Sequence, residues 1–234
     1  MNDTQFVALV LSLLLGIIHF FSDKFKPEEG PKHYRIISFA AGISIAYLFL
    51  DLLPHTYEAA ERLKHWVFIF LLLGFAVLHL AEKYVYKHAD QEHTPSYLTE
   101  IHFVSFFVYY FLVGIVVVER VHENTFEGVL FLFPIMIHAG LSSASLAQIH
   151  GRLRENIWRK IALSLSPILG VFLASFFSIP MVLNNILVSL IAGALLYIMV
   201  KEFLPEKKEG QPLFFVLGMI LFILINLMIG LSQT

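Results

Sequence analysis

The chain has 234 residues, 58% of them hydrophobic and only 15% charged, and its mean hydropathy is +0.75. A soluble domain is nearer half apolar and about a quarter charged, so a water-soluble globular fold could not hide this much apolar surface. The net charge of -2, with no basic stripe among aromatics, argues against a nucleic-acid partner, and the absence of cysteine excludes disulfides and thiolate metal sites.

A membrane-crossing helix needs about 20 mostly apolar residues. Eight segments meet that description: 5–22, 34–54, 65–86, 100–119, 127–149, 156–178, 180–204 and 211–231. The first follows Met1-Asn-Asp-Thr-Gln5, which lacks the positive region and small-residue cleavage site of a signal peptide, so it is expected to be retained. Between the sixth and seventh, Ser178-Ile179-Pro180 must make the whole turn, because a proline ring clashes with the preceding helical turn. Continuous apolar runs, rather than ten-residue alternation, point to helices and not a barrel. The expected fold is an all-α integral membrane protein of one domain, 1–234, with eight transmembrane helices.

Sidedness follows from Lys and Arg, which favour the cytoplasmic side. With the N-terminus outside, the inside loops carry 13 of the 16: Lys24, Lys26, Lys32, Arg35, Lys83, Lys87, Arg152, Arg154, Arg159, Lys160, Lys201, Lys207 and Lys208. The outside loops carry Arg62, Lys64 and Arg120. Both termini are therefore expected on the non-cytoplasmic face of the cell membrane. The longest inside loop, Lys87–Thr99, holds His88 and His93.

Ionisable groups in hydrocarbon are costly and usually face a cavity or a partner. Span two ends in Asp51-Leu-Leu-Pro54-His55, where Asp51 reads either as a hydrated boundary residue or as a cation entrance shared with His55 and Glu58. Span four puts His102, Ser105 and Tyr109 on one face with Tyr110 beside it. Span five puts His138, Ser142 and Ser145 on one face. Small and hydroxylated residues also serve close helix packing, but packing does not call for an imidazole at mid-span. Spans six and seven add Ser166-Pro167 and Asn184-Asn185. No H-E-x-x-H, no G-x-S-x-G and no ATP-binding motif occurs, so no enzyme activity and no cofactor is expected.

Two segments carry a family resemblance. Ala46-Tyr-Leu-Phe-Leu-Asp51-Leu-Leu-Pro54-His55-Thr-Tyr-Glu58-Ala is similar to the second-helix pattern of the ZIP family of divalent-metal transporters, an apolar run into H-L-[LI]-P-E-A. Asp51 stands at that pattern's histidine and His55 at its glutamate. Ala192-Gly193-Ala-Leu-Leu-Tyr197-Ile-Met-Val-Lys-Glu202-Phe-Leu-Pro205-Glu206 resembles the seventh-helix pattern, A-G-x-x-L-Y-[VI]-x-x-x-[DE]-x-[LI]-P-E. The resemblance implies a ZIP-like bundle, a divalent metal such as zinc as substrate, a path between helices two, four, five and six, and a homodimer. At the family's H-N-x-x-[DE]-G this chain has Tyr109-Tyr110-Phe111-Leu112-Val113-Gly114. At [HQ]-[ED]-x-P-[HE]-[EG] it keeps only His138, and at E-P it has Ser166-Pro167. The implied path of Asp51, His55, His102, Tyr109, Tyr110, His138, Ser142 and Ser166, with His138 as its metal ligand, therefore lacks the family's central carboxylates. A ZIP-like protein that moves no metal, acting as a sensor, a partner subunit or a carrier of a neutral solute, is the alternative expectation.

Overall fold

The computed structural model describes residues 2–22, 30–90, 93–149, 157–203 and 210–232. The side chains of residues 95, 142–149, 202–203 and 229–232 are not among those described. The described residues form eight helices and no strand: α1 (Asp3–Phe21), α2 (Pro31–Leu63), α3 (Trp66–His88), α4 (Thr94–Glu123), α5 (Thr125–Ile149), α6 (Ile157–Phe176), α7 (Met181–Ile198, extended by a turn over Met199–Phe203) and α8 (Pro212–Ser232). Six of them are long and apolar enough to cross a membrane; the apolar stretches Thr125–Leu141 and Pro212–Met228 are shorter.

Local chemistry explains the breaks. Asn2 caps α1 reciprocally: the Gln5 N–H donates to Asn2 Oδ1 at 2.9 Å, and the Asn2 N–H donates to Gln5 Oε1 at 3.1 Å. Pro31 opens α2, where its missing N–H has no helical partner to lose. α4 and α5 are joined by Asn124 alone, in extended backbone, whose Oδ1 accepts the Phe126 N–H at 2.9 Å. The expected turn at 178–180 stands between α6 and α7. Two expectations are corrected. The second helix does not stop at residue 54 but runs through Pro54 to Leu63. The loop expected over Lys87–Thr99 is mostly helix, since α3 reaches His88 and α4 begins at Thr94.

The helices sort into two groups by contact. One is α1, α4, α5 and α6; the other is α2, α3, α7 and α8, and α2–α5, α4–α7 and α3–α4 packing joins them. Three pairs share one device. Gly42 of α2 faces the Phe215 carbonyl of α8, while Gly218 of α8 faces the Phe39 carbonyl of α2. Gly74 and Gly193 lock α3 to α7 in the same reciprocal way, and Gly114 and Gly170 lock α4 to α6. A Cβ at any of the six would come within 3.0 Å of the opposing carbonyl oxygen. Small residues at such crossings let backbones touch where lipid supplies no hydrophobic drive.

Each of these pairs runs parallel. The α2 and α8 starts meet through the Gln211 N–H and Ser38 Oγ, the α4 and α6 starts through Arg159 and Glu100, and the α3 and α7 ends through Lys201 and Glu82. The molecule therefore has two ends, an Asp51 end and a Glu82 end. Its surface is apolar along the peripheral helices, where Leu72, Val77, Leu80, Phe176, Leu224 and Leu227 are exposed. Contiguous apolar surface on this scale marks a lipid or protein interface.

Candidate metal centre

The centre is built on an irregular turn. Pro54 has no N–H to donate, and its ring would clash with the carbonyl four residues back. The helix widens to a π turn over Leu48–Leu52, in which the Leu53 N–H reaches back five residues to the Leu48 carbonyl. Single π turns inside α-helices occur often at functional sites. This one carries Asp51. Met199–Phe203 forms the second π turn, in α7, and in sequence it too ends two residues before a proline, Pro205. The two turns occupy matching places in the chain, one after Ala41-Gly42 and the other after Ala192-Gly193.

Asp51 is 3% exposed, and its Oδ2 has no hydrogen-bond partner among the described residues. One turn on, His55 Nδ1 lies 2.7 Å from the Asp51 backbone carbonyl and 3.9 Å from Asp51 Oδ1. A carbonyl only accepts, so the 2.7 Å contact places the proton on Nδ1 and leaves Nε2 as the ring's candidate ligand atom. Glu127 joins them from the first turn of α5, a position an acid favours because helix N-termini carry positive partial charge. One ligand atom from each of Asp51, His55 and Glu127 lies within 4.8 Å of the others. Among the described residues no other group of three His, Cys, Asp or Glu side chains meets this spacing.

Two carboxylates and an imidazole form a nitrogen–oxygen set that suits zinc and similar divalent ions, and three protein ligands leave a coordination position open. The set also bridges the two helix groups, since α2 belongs to one and α5 to the other. His55 opens onto a polar cleft of about 330 Å³ at the Asp51 end, lined also by Glu58, Glu61, Arg62, Arg120, Glu123, Asn184 and Asn185. Arg120, expected in an outside loop, is instead buried at 3% exposure. Its guanidinium lies 5.7 Å from the Phe131 ring centroid, and Nη1 is 3.9 Å from exposed Glu123. Asp51 is within electrostatic reach of Arg120, Glu123 and Glu127.

The remaining expected residues divide. Tyr109, Tyr110 and His138 are all buried and are drawn together through Phe106. Its ring lies 6.0 Å from His138 and 6.1 Å from Tyr110, while Tyr109 and Tyr110 are 5.4 Å apart. His19, not singled out from the sequence, joins this cluster from α1 with its ring 5.3 Å from Tyr110. His102 is half-buried and stacks on Phe106 at 6.1 Å. Ser166 is buried, but its hydroxyl donates to the Leu163 carbonyl of its own helix at 2.8 Å. Ser142 falls within α5, and its side chain lies outside the described residues. The expected Asp51–His55 pair is brought together, with Glu127 as third member. Glu58 stays exposed on the cleft wall.

A second buried carboxylate lies at the other end. Glu82 accepts from the Tyr197 hydroxyl, and its Oε1 accepts from Lys201 Nζ at 2.6 Å. Its sequence signal was an acid in the last apolar turn of the third helix.

No protein-family model matches this chain, and no curated protein matches it.

Proposed function

We propose that this chain is an eight-span transporter of a divalent metal ion such as zinc, with a ZIP-like bundle and both termini on the non-cytoplasmic side of the cell membrane. The observation that carries the reading is the Asp51–His55–Glu127 arrangement. It is the chemistry of a first coordination site, and its His55 lines a polar cleft at the end assigned to the outside by the Lys and Arg distribution. The resemblance of the second and seventh helices to the ZIP patterns supports the same substrate class.

The mechanism follows from the seam. An ion held by α2 and α5 draws the two helix groups together at the Asp51 end. Rocking of one group on the other then opens the Glu82 end, and the ion moves down its gradient past Tyr109, Tyr110 and His138 toward His102. The reciprocal glycine contacts lie within pairs of a single group, so such a motion leaves them intact.

The test is zinc uptake into proteoliposomes holding the purified protein. Wild-type protein takes up zinc, and Asp51→Asn, which keeps the shape and removes the charge, loses about tenfold or more of both uptake and zinc affinity. Absence of uptake across a panel of divalent ions would sink the transport reading. One observation favours a second reading, a ZIP-like sensor: the inner cluster of His19, Tyr109, Tyr110 and His138 contains no carboxylate to offset an ion's dehydration. Zinc binding that Asp51→Asn removes, with no uptake in wild-type protein, would select it.

A further inference from the structure

α1 and α6 lie side by side and antiparallel. Gln5 Nε2 donates to the Ser175 carbonyl at 3.3 Å near one end, and Lys160 Nζ stands 4.9 Å from the Phe20 ring centroid at the other. Between these contacts Gly16 is buried against α6, where a Cβ would overlap the Ser164 carbonyl oxygen. With the backbones pressed together there, the flanking side chains stand as two ridges. Leu13, Ile17 and Phe20 rise from α1, and Ile161, Leu165 and Ile168 from α6, at spacings of three and four residues. The groove between them holds about 230 Å³. Leu13, Ile17 and Leu165 are exposed, so it opens away from the bundle.

Size and direction choose the occupant. At about 1.5 Å per residue, the run from Leu13 to Phe20 makes the groove about 10 Å long. A helix is itself about 10 Å across and does not fit a channel this small. An extended hydrocarbon chain does, and in a bilayer it lies along the helices, as the groove does. The walls alone give no preference among lipids, because a tail gains no hydrophobic drive by leaving other tails. The selecting group is at the mouth. Phe20 lines the groove at the Glu82 end, an end fixed for α6 by the Arg159–Glu100 contact, and the Lys160 ammonium stands over its ring. An ammonium is a compact charge with three N–H donors, suited to phosphate oxygen. Exposed Trp158, two residues away, is of the kind that sits at headgroup level. A choline headgroup would bring its own cation to Lys160, whereas a glycerol headgroup brings none.

We infer that the α1–α6 groove binds one anionic phospholipid, with an acyl chain between the two ridges and the phosphate on Lys160. The site goes beyond the transport reading and needs only that these helices lie in a bilayer.

The experiment is native mass spectrometry of the full chain in detergent, titrated with phosphatidylglycerol or phosphatidylcholine of identical acyl chains. Wild-type protein is expected to retain one phosphatidylglycerol saturably, with about fivefold higher affinity than phosphatidylcholine. Lys160→Gln brings the two lipids level, and Lys160→Arg keeps the preference. Leu165→Trp fills the groove from an exposed position and weakens both lipids about threefold or more. Leu72→Trp, at an exposed position of α3, changes neither. Unchanged melting by circular dichroism shows that the variants are folded. Equal affinity for the two lipids in wild type, or a preference that survives both Lys160→Gln and Leu165→Trp, overturns the site. A dimer that Leu165→Trp dissociates, with no lipid retained, also overturns it and makes a second copy the occupant. Failure of zinc uptake leaves the lipid result standing, and failure of lipid binding leaves the transport reading standing.

Discussion

Asp51 and Glu82 are both buried carboxylates, yet their surroundings differ. Glu82 is engaged by a tyrosine hydroxyl and a lysine ammonium, whereas Asp51 Oδ2 is left without a hydrogen bond among the described residues. The first is the pattern of a structural tie between α3 and α7; the second is the group on which the proposed transport reading stands. For the tie, the two partners are unequal. Lys201 is half exposed and can be hydrated alone, while Glu82 cannot. Lys201→Met is thus expected to destabilise the protein by about 1–3 kcal/mol, more than Glu82→Gln does. Thermal unfolding in detergent checks this, and the double variant should recover part of the loss, because it removes the uncompensated charge. The sequence singled out Asp51 and His55 because ionisable groups at the end of an apolar span are costly unless hydrated or paired. It could not single out Glu127 or Arg120. An acid in a first helical turn and an arginine in a last one are ordinary cap residues, and only the packing of α5 on α2, and of α4 on α5 and α7, turns them inward.

At the scale of the helix, two devices shape the bundle. The π turn before Pro54 sets the direction in which Asp51 points, because one extra residue in a turn rotates the remainder of the helix by about 100°. Pro54→Ala restores the missing donor and removes the clash, so the helix can return to α geometry. The expected result is a loss of zinc affinity of about tenfold or more with the helical content by circular dichroism unchanged. The reciprocal glycines set how close the helices lie. Gly193→Ala places a methyl against the Leu71 carbonyl and is expected to lower stability by about 1–3 kcal/mol. Gly140→Ala is the comparison, since its new methyl meets only the Ile18 side chain at 3.4 Å and gains helix propensity. A difference between the two in melting temperature carries the test; equal melting temperatures would refute the close-contact account. Helix existence was legible in the apolar runs. The continuation of α2 past Pro54 was not, because a proline read alone signals an end, and the π turn that absorbs it depends on neighbouring helices holding the segment.

At the scale of the whole molecule, the chain is all helical among the described residues and carries six helices fit to cross a membrane. The proposed sidedness is open to a direct experiment, since the chain has no cysteine of its own. Cysteine introduced at exposed Lys87, at the Glu82 end, is expected to react with an impermeant maleimide only after the membrane is opened. Cysteine at exposed His122, at the Asp51 end, is expected to react in intact cells. The opposite labelling pattern would reverse the orientation and with it the direction assigned to the path.

The sequence by itself determined that the chain is apolar and helical and where its helices lie, because length, hydropathy and charge are properties of consecutive residues. It also marked Asp51, His55 and His138 as polar groups out of place. Tertiary structure alone decided which of these meet. Glu127 stands 72 residues beyond His55 in sequence, and Arg120 and Asn184 lie 64 apart. The centre and its cleft come into being only where the end of α2, the end of α4 and the starts of α5 and α7 share one end of the bundle. The reason is physical: a helix's period tells which residues share a face, but which face meets which is settled by packing between helices, here through paired glycines and a widened turn.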